Sequence, residues 1–350
     1  MRYTRLGNSG LVVSRLAFGA MTFGEAQGAG GFASIYKVDQ TGADALIGQA
    51  LDGGVTFFDT ADAYADGRSE EMLGHALGAR RREAVVCTKV GMRRTPTPTD
   101  SGLSRRHLLA SVEASLKRLG TDYLDVYVVH RPDPFTPLEE TLQALDVIVR
   151  HGKARYIGFS NWPAWLAAKA VTLQRANGLA PFVTGQMYYS LLTRDFEHEL
   201  APMFADAGVR AMVWSPLAGG FLSGKYTRED PGGGGGRLTG FDFIPFDRER
   251  GYRIVDALKT IAAARGVTPA AVALSWLIGR PAVGSAIVGA TRAEQLADNL
   301  AAADFDLTPE ETAALDAASD TPRPYPAWFS DRVTDTRLDE LGVLRARPAA

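Results

Sequence analysis

Asp59 and Tyr64 close an apolar run, Phe57-Phe58-Asp59-Thr60-Ala61-Asp62-Ala63-Tyr64, and both side chains can do proton chemistry. A phenol has a reference pKa of about 10, so one that donates a proton near neutrality needs a cation beside it. Candidates end the next two apolar runs: Val85-Val86-Cys87-Thr88-Lys89 delivers an ammonium, and Val126-Tyr127-Val128-Val129-His130 an imidazole. Taken singly, each residue has a plain structural reading: Asp59 as a turn cap, Tyr64 as loop packing, Lys89 as an exposed strand terminus, His130 as a hydrogen-bonded core histidine. Their coincidence at three successive run ends argues for a site.

Those runs belong to a regular pattern. Strand-like segments cover Leu16 to Ala20, Val55 to Asp59, Ala84 to Lys89, Leu124 to His130, Ala154 to Ser160, Val183 to Gln186, Val209 to Trp214 and Ala286 to Gly289. Between them, apolar residues at i, i+3 and i+4 predict helices near 41–53, 69–79, 104–119, 137–150, 163–176, 196–207, 251–279 and 292–303. Such alternation demands a parallel sheet, because each crossover occupies a helix. Eight units favour an α/β fold of the closed (β/α)8 TIM-barrel type over a doubly wound sheet. Arg2 to Leu6 and Leu11 to Arg15, flanking Gly7-Asn8-Ser9-Gly10, read as a β-hairpin that plugs the barrel floor. Barrel enzymes place their chemistry where strands end and βα loops begin, which is where the carboxylate, phenol, ammonium and imidazole fall.

Composition bounds the rest. The chain has 350 residues, 46% hydrophobic and 22% charged, and reads as a single barrel domain over 1–350, with a core of about 1–318 and a tail at 319–350. A net charge of −2 supplies no basic field, so nucleic acid and anionic membrane are not expected partners. The single cysteine, Cys87, rules out an intrachain disulfide; two residues before Lys89 on one strand face, it reads as a buried core thiol. Met1-Arg2-Tyr3-Thr4-Arg5-Leu6 lacks the apolar core of a secretory signal, and no apolar run approaches the roughly 20 residues of a membrane span, so a cytoplasmic protein is expected. The histidines at 75, 107, 130, 151 and 198 are scattered without ligand spacing, and no metal site is expected.

The motifs resemble those of the aldo-keto reductases. The resemblance rests on Phe58-Asp59-Thr60-Ala61-Asp62-Ala63-Tyr64, Thr88-Lys89, Asp122 to His130, Gly158-Phe159-Ser160-Asn161, Gln186, Trp214-Ser215-Pro216-Leu217-Ala218-Gly219-Gly220, and the segment from Ile287 to Asn299. It runs from the hairpin to about residue 318, and includes the potassium-channel β-subunit branch of the family. It implies a catalytic tetrad of Asp59, Tyr64, Lys89 and His130, with hydride passing from a reduced nicotinamide to a carbonyl carbon while Tyr64 protonates the carbonyl oxygen. In those roles Lys89 would favour the phenolate and make Tyr64 a better acid, Asp59 would hold Lys89 in place, and His130 would hydrogen-bond and orient the carbonyl oxygen. The small-molecule partner is thus an aldehyde or ketone. A cofactor-sensing subunit with little turnover, or an enzyme run as an alcohol dehydrogenase, is the alternative.

No Gly-x-Gly-x-x-Gly fingerprint follows the first strand, since Phe18-Gly19-Ala20-Met21-Thr22-Phe23-Gly24 lacks that spacing, so a nicotinamide cofactor must bind in another way. By resemblance, Ser160, Asn161 and Gln186 hold its carboxamide, Trp214 stacks beneath its ring, and Gly19, Met21, Thr22, Asp59, Ser215, Pro216, Leu217 and Gly219 add further contacts. Ser160-Asn161 before Trp162-Pro163 also reads as a helix N-cap, with Pro163 just inside the helix. Gly289, Ala290, Thr291 and Arg292 open the last helix, where a phosphate gains from free amides, the helix dipole and a guanidinium. Gly289 and Gln295 stand where the commonest pattern has a lysine and an arginine for the 2′-phosphate, and Arg292 is the natural substitute. NADPH/NADP+ is therefore expected over NADH, with Gln295 and Asn299 at the adenine end.

Glu25 to Asp39, Gly91 to Leu103 and Ser223 to Arg250 fit neither strand nor helix and are expected to shape the pocket. The last contains Gly232 to Gly236, a run read as unable to pack and as either a closing loop or a surface insertion. Phe23, Tyr36, Met92, Trp162 and Trp328, with Met21, are the pocket candidates. Tyr325, Trp328 and Phe329 precede a short amphipathic stretch from Val333 to Leu344, and these tail aromatics line an apolar pocket or dock the tail on the barrel exterior.

Overall fold

A computed structural model describes residues 1–24, 35–333 and 336–341. Two short antiparallel strands, β1 (Tyr3–Arg5) and β2 (Val12–Ser14), precede eight parallel ones: β3 (Leu16–Gly19), β4 (Phe57–Asp59), β5 (Val85–Val90), β6 (Leu124–Val129), β7 (Ala154–Ser160), β8 (Phe182–Tyr188), β9 (Arg210–Trp214) and β10 (Val283–Val288). The eight pair in chain order, and β10 closes on β3 to complete the barrel. Alternate residues face inward. Ala17, Phe57, Cys87, Val126, Val128, Met212 and Ile287 form one interior cluster, and Leu6 and Val13 of the hairpin complete it from below, so the hairpin plugs the floor as predicted. One step further along the same inward rows come Gly19, Asp59, Lys89, His130, Ser160, Gln186 and Trp214. The polar rim follows from strand period and parallel register.

Crossover helices follow: α1 (Gln40–Asp52), α2 (Arg68–Leu77), α3 (Arg105–Leu119), α4 (Leu138–Arg150), α5 (Ala164–Asn177), α6 (Leu200–Ala207), α7 (Arg237–Gly240), α8 (Arg248–Arg265), α9 (Pro269–Ile278) and α10 (Ala293–Ala301). The continuous helix expected over 251–279 is two helices bent by 99°. Gly266 takes φ 66° as the C-cap of α8, and Thr268 then caps Ala271 N–H with Pro269 in the first turn of α9. That Gly-x-Thr-Pro punctuation is a stop followed by a start. A helix absent from the predicted set, α11 (Pro309–Ala318), begins at a Thr308/Glu311 capping box. The tail adds α12 (Ala327–Val333) and α13 (Arg337–Glu340), so the predicted stretch from Val333 to Leu344 is only partly helical; 334–335 and 342–344 lie outside the described residues.

Of the three loop segments, residues 25–34 lie outside the described residues, and 91–103 carries neither helix nor strand. Ser223 to Arg250 corrects the prediction, since it contains α7 and the start of α8. Its glycine run packs. A Cβ on Gly233 would lie 2.6 Å from the ring of buried Tyr226, and one on Gly236 2.4 Å from its hydroxyl. Only glycines permit this approach, and the Tyr226 hydroxyl accepts Leu238 N–H at 3.0 Å.

Candidate active site

The four predicted side chains converge. Lys89 Nζ spends its three protons on three oxygens: Asp59 Oδ2 at 2.7 Å, the Thr60 carbonyl at 2.6 Å and Tyr64 Oη at 3.1 Å. Asp59 Oδ1 accepts Gln186 Nε2 at 2.8 Å, so both carboxylate oxygens are satisfied although the residue is buried. Because the lysine donates to the phenol oxygen, Tyr64's own proton is left to point elsewhere. The Tyr64 and His130 rings meet edge to face with centroids 5.9 Å apart, which sets the imidazole beside the phenol.

Burial decides the electrostatics. It raises the Tyr64 pKa above its ordinary value of 10, against the lowering by Lys89. Lys89 favours the phenolate as expected, but it offsets only part of the desolvation, and Tyr64 remains a protonated phenol. Lys89 is itself pulled down by burial, but Asp59 and Tyr64 outweigh this and hold it above the usual lysine range. Burial, with Lys89 and Arg131 nearby, pushes His130 down to about 3. His130 is therefore a neutral imidazole, and its buried Nδ1 has no partner among the described residues.

Beside the tetrad, Ser160, Asn161, Gln186 and Trp214 form one patch. Ser160 Oγ donates to the Gln186 carbonyl at 2.8 Å. Asn161, at φ 59°, donates through Nδ2 to the His130 carbonyl at 3.1 Å, and its Oδ1 accepts Trp214 Nε1 at 3.0 Å. The Trp214 and Tyr188 rings meet at a tilt of 30° with centroids 4.9 Å apart. The N-cap reading fails here: Pro163 is the N-cap of α5 rather than its first helical residue, and no side chain caps that end. The left-handed backbone at Asn161 instead turns its amide across the barrel mouth. Gln186 lends its amide nitrogen to Asp59, a link between the tetrad and this patch that the sequence did not reveal.

A second wall joins Gly19 to Thr22, expected among the cofactor contacts, to the Gly289 to Arg292 segment expected at a phosphate. Thr22 Oγ1 donates to the Ala290 carbonyl at 3.3 Å, and a Cβ on Gly289 would lie 3.7 Å from the Gly19 carbonyl. Gln295 and Asn299 brace this loop: Gln295 Oε1 accepts Thr291 N–H at 3.1 Å, and Asn299 Nδ2 donates to the Gly289 carbonyl at 3.5 Å. Arg292 is the exposed N-cap of α10. Ser215 and Gly219 are tied to each other, Gly219 N–H donating to Ser215 Oγ at 2.9 Å, in a turn that Pro216 and Leu217 span.

Sequence reasoning missed Lys37, Lys225 and Arg237, which stand near the predicted Arg292 or Tyr64. Burial, together with Lys37 and Arg292, lowers the Lys225 pKa below its ordinary value, so the three charges share one region without a carboxylate among the groups acting on Lys225. Arg237 Nη2 approaches Met21 Sδ at 3.8 Å, and its guanidinium interacts with Tyr64. A signal was available for two of them: Lys225 follows the Trp214 to Gly220 loop, and Arg237 ends the glycine run.

Two pocket candidates are corrected. Phe23 is fully buried against Phe18, at 5.6 Å between centroids, in the layer outside the barrel. Trp162 packs on Phe159 and Phe182 at 5.5 and 5.8 Å in the same layer, because Phe159 faces outward from β7. Tyr36 stands by Gly24 and Ala65, next to Tyr64, and Met92 is half-buried in the loop after β5. Trp328 is 41% exposed, with Tyr325, Phe329 and Arg332 of its own segment as ring neighbours.

Comparison with known proteins agrees with this geometry. A family model described as the aldo/keto reductase family matches residues 15–320. A rice (Oryza sativa subsp. japonica) protein named a probable voltage-gated potassium channel subunit beta is 38% identical, covering 91% of this chain and 96% of its own length. Versiconal hemiacetal acetate reductase of Aspergillus parasiticus is 34% identical over 90% of this chain and 96% of its own, and the Bacillus subtilis uncharacterized oxidoreductase YrpG 35% identical over 94% and 100%. Similar along nearly its whole length to proteins of both kinds, the chain belongs to the aldo/keto reductase family.

Proposed function

We propose that this protein reduces an aldehyde or ketone to the alcohol with NADPH, and that Tyr64 is the proton donor. Membership of the family makes it an oxidoreductase of carbonyl compounds. The observation that carries the finer reading is the Lys89 ammonium donating to the Tyr64 oxygen, which leaves the phenol proton free beside a neutral imidazole. His130 orients the carbonyl oxygen by hydrogen bonding, Tyr64 passes its proton to that oxygen, and the phenolate left behind faces Lys89. When bound, NADPH supplies the hydride that reaches the carbonyl carbon. Ser160 and Asn161 would hold its carboxamide, and Trp214, with Tyr188 on one side, would offer its ring as a platform. The Lys37, Lys225 and Arg292 cluster fits a phosphate, since like charges gathered without a carboxylate are relieved by an anion.

Assays of NADPH oxidation with a panel of aldehydes and ketones test this reading, and the reverse assay with alcohols tests direction. A second reading, a cofactor-sensing subunit, is favoured by the similarity to proteins named as potassium channel β subunits. Tight NADPH binding with no oxidation by any carbonyl would support it over the first. Arg292→Ala and Lys225→Ala are each expected to weaken NADPH binding about 10–100-fold, the scale of one charge-assisted hydrogen bond, with NADH binding little changed. Equal losses for both cofactors by titration calorimetry would remove the cluster from the 2′-phosphate.

A further inference from the structure

Behind the tetrad, on the outer side of β5 and β6, lies a second buried polar cluster that the chemistry above does not use. Glu70 of α2 is fully buried; its Oε2 accepts Arg118 Nε at 2.6 Å and its Oε1 accepts Thr88 Oγ1 at 2.5 Å. Asp62 is equally buried, yet neither of its carboxyl oxygens has a partner among the described residues, and the same holds for the buried Tyr127 hydroxyl. Glu70 thus holds the Arg118 guanidinium, while Asp62 feels both Arg94 and Arg118 without a bond to either.

Asp62 also heads the turn that presents Tyr64. Its N–H donates to the Lys89 carbonyl at 3.2 Å and Tyr64 N–H to the Ala61 carbonyl at 3.2 Å, both long bonds. Ala65, Asp66 and Gly67 then run at φ 47°, 54° and 92°, a left-handed path disfavoured for residues bearing a Cβ. The turn rests on Arg118, because a Cβ on Gly67 would lie 2.7 Å from its Cδ and 2.8 Å from its Nε. Arg94 Nη2 adds a bond to the Asp66 carbonyl at 3.0 Å.

We propose that Asp62 is a positioning residue that works as the neutral acid: protonated, it leaves Arg118 to Glu70 and keeps the Tyr64 turn seated, and ionised, it competes for Arg118 and unseats the turn. The groups facing it are Glu70 from α2, Arg118 from α3, Arg94 and Asp100 from the loop after β5, and Tyr127 from β6. Burial, then Glu70, push Asp62 up to about 7, against Arg94 and Arg118. Tyr64 is raised above 10, so its own deprotonation does not overlap this range.

The kinetic consequence rests on the carbonyl-reductase reading; the turn's behaviour does not. Hydrogen exchange of amides 63–68, corrected for intrinsic rate, is expected to speed up about tenfold from about pH 6 to about pH 8 in the wild type and to stay level in Asp62→Asn, which mimics the neutral acid. With a carbonyl substrate, kcat/KM of the wild type falls about tenfold over that interval, while Asp62→Asn keeps the acid-limb rate throughout. Glu70→Gln moves the transition to lower pH by removing the charge that raises Asp62, and it serves as the test should Asp62→Asn not fold. Loss of all turnover with pH-dependent exchange intact would overturn the enzymatic reading alone. Level exchange in the wild type, or superimposable pH profiles for wild type and Asp62→Asn, would overturn this inference.

Discussion

Replacing Tyr64 by phenylalanine is expected to lower kcat/KM for carbonyl reduction by about 10²–10⁴-fold, the usual contribution of a positioned general acid. The substitution deletes one oxygen. The ring keeps its place over the Lys89 ammonium, 4.7 Å from the centroid, and against His130. Lys89 retains Asp59 and the Thr60 carbonyl as acceptors, so the fold should be little disturbed. The proposed cofactor contacts at Ser160, Asn161 and Trp214 do not involve the phenol, and NADPH affinity should stay within about a factor of three. Turnover retained at wild-type level would remove Tyr64 from its role and shift the proton donation to His130 or water.

The second large effect is on both stability and rate. Lys89→Met keeps the length of the side chain but leaves the buried Asp59 carboxylate without its cation, with the Gln186 amide and the weakly donating Cys87 thiol beside it. Breaking one side of a buried ion pair typically costs about 3–5 kcal/mol. The folded-state pKa of Lys89 stands above its unfolded value, so its contribution is fully present below the unfolded pKa of about 10.4 and is lost only as pH rises through the folded one. The deficit of the variant should therefore be constant across the neutral range in denaturant titrations. Rate should fall as well, because burial would then raise the Tyr64 pKa without Lys89 to oppose it, and the phenolate would lose its adjacent ammonium. Asp59→Asn in the same chain is expected to restore most of the stability and none of the turnover. A double variant that recovered activity would show that the ion pair serves the fold alone.

What the amino-acid order determined by itself is the architecture and which polar groups gather at the barrel mouth. Period-two apolar runs alternating with period-3.6 ones dictated a parallel barrel, and Asp59, Lys89 and His130 could be read because each ends such a run. Local punctuation was also present where it went unread, as in Gly266-Val267-Thr268-Pro269 and the Thr308 to Glu311 cap. The tertiary structure alone decided the properties that sum over distant neighbours. Whether Lys89 or burial sets the acidity of Tyr64 depends on every atom that excludes water from the phenol, and burial prevailed. Phe23 and Trp162 are aromatic residues in loop-like sequence, but the outward parity of Phe18 and Phe159 drew them into the outer layer. Lys37, Lys225 and Arg292 come from three separate loops, and Asp62, Glu70 and Arg118 from a loop and two helices, so no local spacing links them. Periodicity records which face a residue presents; barrel closure decides which residues it meets there.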